Sequence, residues 1–248
     1  MSDCLSGRTA LVTGAARGIG FSIACGLARH GATVALLDVD PVTLERAAHL
    51  VGKETLPIEA DVRKSDDVQH AVETTVAHFG GLDILVNNAG ICPMTTFADI
   101  SANEWDQVLA VNLKGAFLFC QAALPHLRRS GQQGRIVNIA SVAGQMGGVS
   151  VGAHYAASKA GLIGLSKSLA QFLAADGVTV NCVAPGTTET DLTDSWSDAE
   201  RGTVLGKTSL GRFAQPDEIA EAVCFLVSDR AAFITGATLD VNGGLLMR

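Results

Sequence analysis

Tyr155 is the only tyrosine in this chain of 248 residues, and Lys159 stands four residues on, in Tyr155-Ala156-Ala157-Ser158-Lys159. The segment reads as helix, and that spacing puts both side chains on one helix face. A phenol with its ordinary pKa of ~10 is a poor proton acceptor near neutrality. Lowering it by about three units takes roughly 4 kcal/mol, which an ammonium about 4 Å away supplies at an effective dielectric near 20. The pair suits proton exchange at a reacting oxygen, with Tyr155 as base in alcohol oxidation and acid in carbonyl reduction. An amphipathic pair on a solvated helix has the same spacing, so other residues must decide.

The second candidate is Thr13-Gly14-Ala15-Ala16-Arg17-Gly18-Ile19-Gly20, between a strand-like run and a helix-like one. Gly14, Gly18 and Gly20 let the backbone turn tightly and approach a pyrophosphate, and the free N–H groups at a helix start favour its charge. Three residues separate the first two glycines where the common fingerprint has one, so context carries the argument. Asp38 supplies it, ending the next strand 18 residues after Gly20, where a carboxylate accepts hydrogen bonds from the adenosine ribose. It also repels a 2′-phosphate, which favours NAD over NADP. Arg17 argues the other way, but a phosphate held there would lie beside Asp38 at a cost in like charge. The alternative for Asp38 is a solvated turn residue before Pro41.

These residues need elements to hold them. Short apolar runs at Thr9–Thr13, Thr33–Asp38, Leu56–Ala60, Ile84–Asn87, Arg135–Ala140, Val178–Val183 and Thr238–Val241 read as strands covered on both faces. Helical patterns at Gly20–Arg29, Thr43–Val51, Asp66–His78, Glu104–Arg128, Ala157–Ala174 and Asp217–Val227 alternate with them. The alternation predicts an α/β fold: one doubly wound, Rossmann-like domain over residues 1–248, with a seven-stranded parallel sheet and no linker. Stretches 144–152 and 187–207 read as long loops beyond the carboxyl ends of strands, where substrates sit in such sheets. Met94, Gln145, Met146, Val149, His154, Thr187 and Thr190 are candidates to line a pocket or simply to pack those loops. No spacing gives His154 a role as ligand or base.

Composition narrows the function. Hydrophobic residues make up 48 % and charged ones 17 %, which excludes a disordered chain. Eighteen Lys and Arg against 25 Asp and Glu leave a net charge of −7, unfavourable for nucleic acid or an anionic membrane surface. No uninterrupted apolar run of spanning length and no signal-peptide pattern is apparent, so a cytoplasmic setting is expected. The six cysteines are scattered, without CxxC or clustered His, so neither disulfides nor a metal site is expected.

Together the motifs resemble the short-chain dehydrogenase/reductase family over nearly the whole chain. The glycine loop is similar to its TGxxxGxG, Asn87-Asn88-Ala89-Gly90 to its NNAG, Tyr155 with Lys159 to its YxxxK, and Pro185-Gly186 to the PG after its sixth strand. The resemblance implies a catalytic tetrad of Asn112, Ser141, Tyr155 and Lys159. Ser141 would hydrogen-bond the substrate oxygen, Lys159 would hold the nicotinamide ribose, and Asn112 would interrupt its helix and hold a water leading to Lys159. It also implies cofactor contacts at Gly14, Gly18, Ile19, Gly20, Asp38, Asn88, Tyr155, Lys159, Pro185, Gly186 and Thr188, with Asp61 and Val62 beside the adenine. A homotetramer is implied as well. The Ser141-to-Tyr155 spacing is one residue longer than in many members.

Gly161–Lys167 and Val241–Gly244 are also similar to 3-oxoacyl-carrier-protein reductases. Where arginines are expected to grip the acidic carrier, however, this chain has Gln132 and Asp176, and its negative charge would repel such a partner. The expectation is therefore a small secondary alcohol or polyol interconverted with its ketone, and carrier-bound 3-oxoacyl reduction is the runner-up. A dinucleotide-binding regulator without turnover is the alternative of another class; it would have no use for the Tyr–Lys pair.

Overall fold

The computed structural model describes residues 4–52, 54–148, 151–194 and 196–248. Seven parallel strands form one sheet: β1 (Thr9–Thr13), β2 (Thr33–Asp38), β3 (Thr55–Glu59), β4 (Ile84–Asn87), β5 (Arg135–Ile139), β6 (Thr179–Pro185) and β7 (Thr238–Val241). The helices of the first half are α1 (Gly18–Arg29), α2 (Pro41–Val51), α3 (Ser65–Phe79), α4 (Ala102–Leu109) and α5 (Gly115–Ser130). Those of the second half are α6 (Ala143–Met146), α7 (Ala153–Leu173), α8 (Asp191–Asp194), α9 (Asp198–Leu205) and α10 (Pro216–Val227). The strand order β3-β2-β1-β4-β5-β6-β7 is doubly wound and Rossmann-like, as the alternating pattern predicts.

Strand residues alternate between two cores. Ala10 and Val12 pack with Ile23 and Leu27 of α1 and with Ile219 and Val223 of α10. Leu11, one residue out of phase, faces Val68 and Val72 of α3, Phe119 of α5 and Leu173 of α7. Because both faces are covered, the central strands are mostly apolar on both sides, with Asn87, Arg135, Asn138 and Asn181 as buried polar exceptions. Each fully buried Leu or Val contributes ~1.5–3 kcal/mol by leaving water.

The boundaries shift in places. β6 runs on to Pro185, which pairs with Val241. A proline fits that terminal position because its carbonyl is what is needed, accepting the Val142 N–H at 2.9 Å. The helix expected from Glu104 begins at Ala102, after Ser101 caps the Glu104 N–H at 3.1 Å. α4 and α5 join through a π-helical turn, Ala110–Lys114. The continuous helical run Ala102–Gln133 is long and apolar enough by length and composition to cross a membrane, although Asp106, Asn112 and Lys114 interrupt it, so no uninterrupted apolar run reaches spanning length, as expected. Phe119, Ala123 and Leu127 of that run are buried in the core.

The two stretches expected as loops are partly helical. Residues 143–146 form α6, seated so closely on α7 that a Cβ at Gly144 would lie 2.7 Å from the Lys159 carbonyl carbon. Val149 lies outside the described residues. Within 187–207 the chain forms α8 and α9. Arg201 holds this polar segment through Glu189 Oε1 at 2.6 Å and lies over the Phe213 ring at 4.7 Å. Those contacts are tertiary, so no apolar period announces the helices.

Candidate active site

The sheet order reverses between β1 and β4, and the ends of those two strands meet at the glycine loop. Asn88 Nδ2 donates to the carbonyls of Thr13 (3.0 Å) and Gly14 (2.9 Å), while Thr13 Oγ1 accepts the N–H groups of Asn88 and Ala89. Gly14 has φ +64°, and a Cβ there would lie 2.8 Å from Ala89 Cα; one on Gly20 would lie 2.1 Å from the Gly14 carbonyl oxygen. The glycines are thus required by close backbone approach as well as by the turn. No side chain caps α1, and Ile19 and Gly20 of its first turn line a cavity of about 950 Å³. Gly18 (φ +56°) makes the turn beside Thr190 and does not line the cavity.

At one end of this cavity stand Asp38, Asp61 and Val62. Asp38 Oδ2 accepts the Ala16 N–H at 3.2 Å, and Oδ1 accepts that of Val39 at 2.8 Å, so its carboxylate braces the glycine loop and is not a free turn residue. Arg17 also lines the cavity, but its guanidinium is 2.9 Å from Asp40 and 3.7 Å from Asp191. Arg63 grips both Asp61 oxygens at 2.6–3.0 Å and holds that carboxyl below the usual range. Val62 packs against Gly115, where a Cβ would be 2.9 Å from Val62 Cγ2.

At the other end the cavity is lined by Ser141, Tyr155 and Lys159, with Pro185, Gly186 and Thr188 beyond β6. Asn112 lies behind the wall. Its Oδ1 accepts the Ile91 N–H at 2.8 Å, and its Nδ2 donates to the Ile91 carbonyl (2.9 Å) and to Ser158 Oγ (3.0 Å). The expected break in the helix is present as the π turn around Asn112. Gly90 fills the gap between Asn112 and Lys159: a Cβ there would be 3.3 Å from Asn112 Oδ1 and 3.5 Å from Lys159 Nζ.

The charge state differs from the expectation of an acidified phenol. Lys159 Nζ donates to the Ile139 carbonyl at 2.7 Å and lies 5.7 Å from the Tyr155 ring centroid. Burial pushes the Tyr155 phenol up, Cys92 adds to this, and a hydrogen bond with Ser141 opposes it. Burial likewise pushes Lys159 down to about 8. Desolvation is the first cause of both shifts.

Of the other pocket candidates, Met146, Thr187 and Thr190 line the cavity, whereas Met94, Gln145 and His154 do not. Gln145 turns away to Asp240 Oδ1 at 2.7 Å, and His154 is fully buried against Glu104. Cys92, Trp196, Val204, Lys207 and Leu245 also line the cavity. Sequence spacing does not mark them, although three fall in or at the end of the stretch expected to face substrate. Burial pushes the Cys92 thiol up to about 11, so it is neutral near pH 7.

The residues fit a nicotinamide dinucleotide: an uncapped helix start for the pyrophosphate, a carboxylate at the adenosine end, and a hydroxyl, phenol and ammonium at the reacting end. Comparison with known proteins agrees. A family model described as enoyl-(acyl carrier protein) reductase matches residues 14–246. The chain is 44 % identical over 246 residues to a 3-oxoacyl-[acyl-carrier-protein] reductase of Staphylococcus aureus, covering 97 % of this chain and 98 % of that one. It is 43 % identical over 245 residues to the Escherichia coli protein of that name, with 97 % and 98 % covered. A crystal structure of 3-ketoacyl-(acyl-carrier-protein) reductase from Brucella melitensis complexed with NADH superposes with a TM-score of 0.93 at 35 % identity, over 98 % of this chain and 100 % of that one. Sequence, fold and cavity therefore agree that the chain belongs to the short-chain dehydrogenase/reductase family, binds a nicotinamide cofactor and is an oxidoreductase.

Proposed function

We propose that the chain catalyses NADH-dependent reduction of a 3-oxoacyl thioester to the 3-hydroxyacyl product, and the reverse. The convergence of Ser141, Tyr155 and Lys159 at one end of a cavity whose other end carries Asp38 supports this reading most. The glycine loop, Asp38, Tyr155 and Lys159 would hold a nicotinamide dinucleotide, which would supply hydride chemistry at the carbonyl when bound. Tyr155 gives its proton to the oxygen, Ser141 donates a hydrogen bond to that oxygen as charge develops, and Lys159 stabilises the resulting phenolate. Asn112 holds the Ile91 backbone that walls the site. The phenolate then regains a proton from solvent.

NADH rather than NADPH is supported by Asp38 and by the pairing of Arg17 with Asp40 and Asp191, which leaves no free cation among those three partners for a 2′-phosphate. The thioester is supported by the relatives' names, which reverses the ranking that the charge suggests. The small secondary alcohol or polyol remains a second reading because of one observation: Arg128, near the place expected for a carrier-gripping arginine, is held by Asp176 at 2.9 Å. The intact Tyr–Ser–Lys set argues against a regulator without turnover.

The chain would act as one catalytic unit and assemble as a homotetramer. A shallow apolar groove of Leu109, Leu113, Phe117 and Leu165 supports self-association. Six unpaired cysteines fit a reducing compartment such as the cytoplasm. Absorbance at 340 nm tests the central reading, with NADH or NADPH and an acetoacetyl thioester of a carrier protein. Turnover with NADH is expected; oxidation of small secondary alcohols with no thioester turnover establishes the second reading instead.

A further inference from the structure

His154 precedes Tyr155, is fully buried, and has no part in the proton transfer described above. Its Nδ1 accepts the Tyr155 N–H at 2.9 Å. A ring nitrogen that accepts carries no proton, so the imidazole proton is on Nε2, which donates to Glu104 Oε1 at 2.8 Å. Thr95 Oγ1 donates to the same carboxylate oxygen at 2.6 Å. These two bonds, Thr95 first, hold the Glu104 carboxyl below its usual range.

Three pieces of chain therefore meet on one oxygen: the segment after β4, the first turn of α4 and the first turn of α7. A second tie runs in parallel, from the Gly152 N–H to the Pro93 carbonyl at 3.3 Å. The segment after β4 carries Ile91, Cys92 and Pro93, which line the cavity. The first turn of α7 carries Tyr155. The wall that confines the substrate and the residue that exchanges its proton are thus referenced to the same joint.

We infer that Glu104 and His154 are a positioning pair, which sets the Tyr155 hydroxyl relative to the cavity wall through a carboxylate–imidazole–backbone chain. Neither side chain lines the cavity. The inference rests on the oxidoreductase reading but not on the choice of substrate, so it is measured with any carbonyl compound or alcohol that the unaltered protein turns over. Failure to reduce a thioester would overturn that substrate and leave this test in place.

The experiment compares Glu104→Leu, which removes the acceptor, with Glu104→Gln, which keeps an oxygen for both donors. Misplacing a reacting group by about 1 Å costs up to ~100-fold, so Glu104→Leu is expected to lower kcat at least about tenfold, with KM for NADH within about twofold of the unaltered value. Glu104→Gln is expected to restore kcat to within about threefold, because the hydrogen bonds and not the charge do the positioning. Thr95→Val removes only one of the two bonds on Oε1 and is expected to show a smaller loss of kcat with the same unchanged KM. A merely structural joint would lower the melting temperature and the active fraction without this split, and Gln would not rescue it. Full kcat in Glu104→Leu, or equal losses in Leu and Gln, overturns the inference. If Glu104→Leu does not fold, Thr95→Val decides, and unchanged kcat there overturns it.

Discussion

Lys159 Nζ lies 5.7 Å from the centroid of the Tyr155 ring and donates to the Ile139 carbonyl, and burial drives the two groups toward their neutral forms from opposite directions. The cost of keeping the buried ammonium charged has a pH signature. With a folded pKa of about 8 against 10.5 unfolded, the unfolded chain binds more protons between those values, so this group's contribution to stability rises with pH there. Below pH 8 the penalty is fully present. The stability of the unaltered protein relative to Lys159→Met is expected to improve by roughly 3 kcal/mol from pH 7 to pH 10.5. Urea denaturation of both proteins across that range checks it; a constant difference contradicts it.

Tyr155→Phe removes the proton donor while keeping the ring. A loss of about 100–10,000-fold in kcat is expected for a general acid, with NADH affinity changed little. Steady-state rates, together with NADH fluorescence titration, separate the two effects.

Cofactor choice is tested at two carboxylates. Asp38→Ala removes the ribose acceptor and the brace on Ala16, so KM for NADH is expected to rise at least about tenfold. Adding Asp40→Ala releases Arg17 from its closest partner, and the double variant is expected to favour NADPH. It also loses the cap that Asp40 gives to the Thr43 N–H, at about 1 kcal/mol of stability. The ratio of kcat/KM for the two cofactors is the readout.

Two glycines make a matched contrast. Gly20→Ala places a Cβ 2.1 Å from the Gly14 oxygen and is expected to abolish cofactor binding. Gly164 sits inside α7 with nothing within 4 Å of a Cβ, so Gly164→Ala is expected to raise stability by about 0.5–1 kcal/mol. Thermal melts with and without NADH distinguish them.

Phe117 lines the groove formed by α4, the π-helical turn and the start of α5 against α7, and is 45 % exposed. If the proposed tetramer forms, Phe117→Asp is expected to shift it to smaller species in sedimentation at micromolar concentration. A monomeric unaltered protein would remove the assembly proposal.

The strands, the long helices, the glycine loop and the Tyr155–Lys159 spacing were legible in the chain because each depends on residues within a turn or two of one another. Local chemistry also places Asp38 at a strand end, whereas Pro185, expected just after the sixth strand, proves to be its last residue. Glu104 and His154, in contrast, lie far apart in the chain and meet only because α4 and α7 pack side by side; no period in either segment announces the pair. The same holds for Arg201, which stabilises α9 through Glu189 and Phe213, and for Cys92 and Lys207 on the cavity wall. The protonation of Tyr155 and Lys159 was decided in three dimensions too. Spacing sets how near two charges come along a helix, but the surrounding chain sets how much water reaches them, and desolvation is the first cause of both shifts.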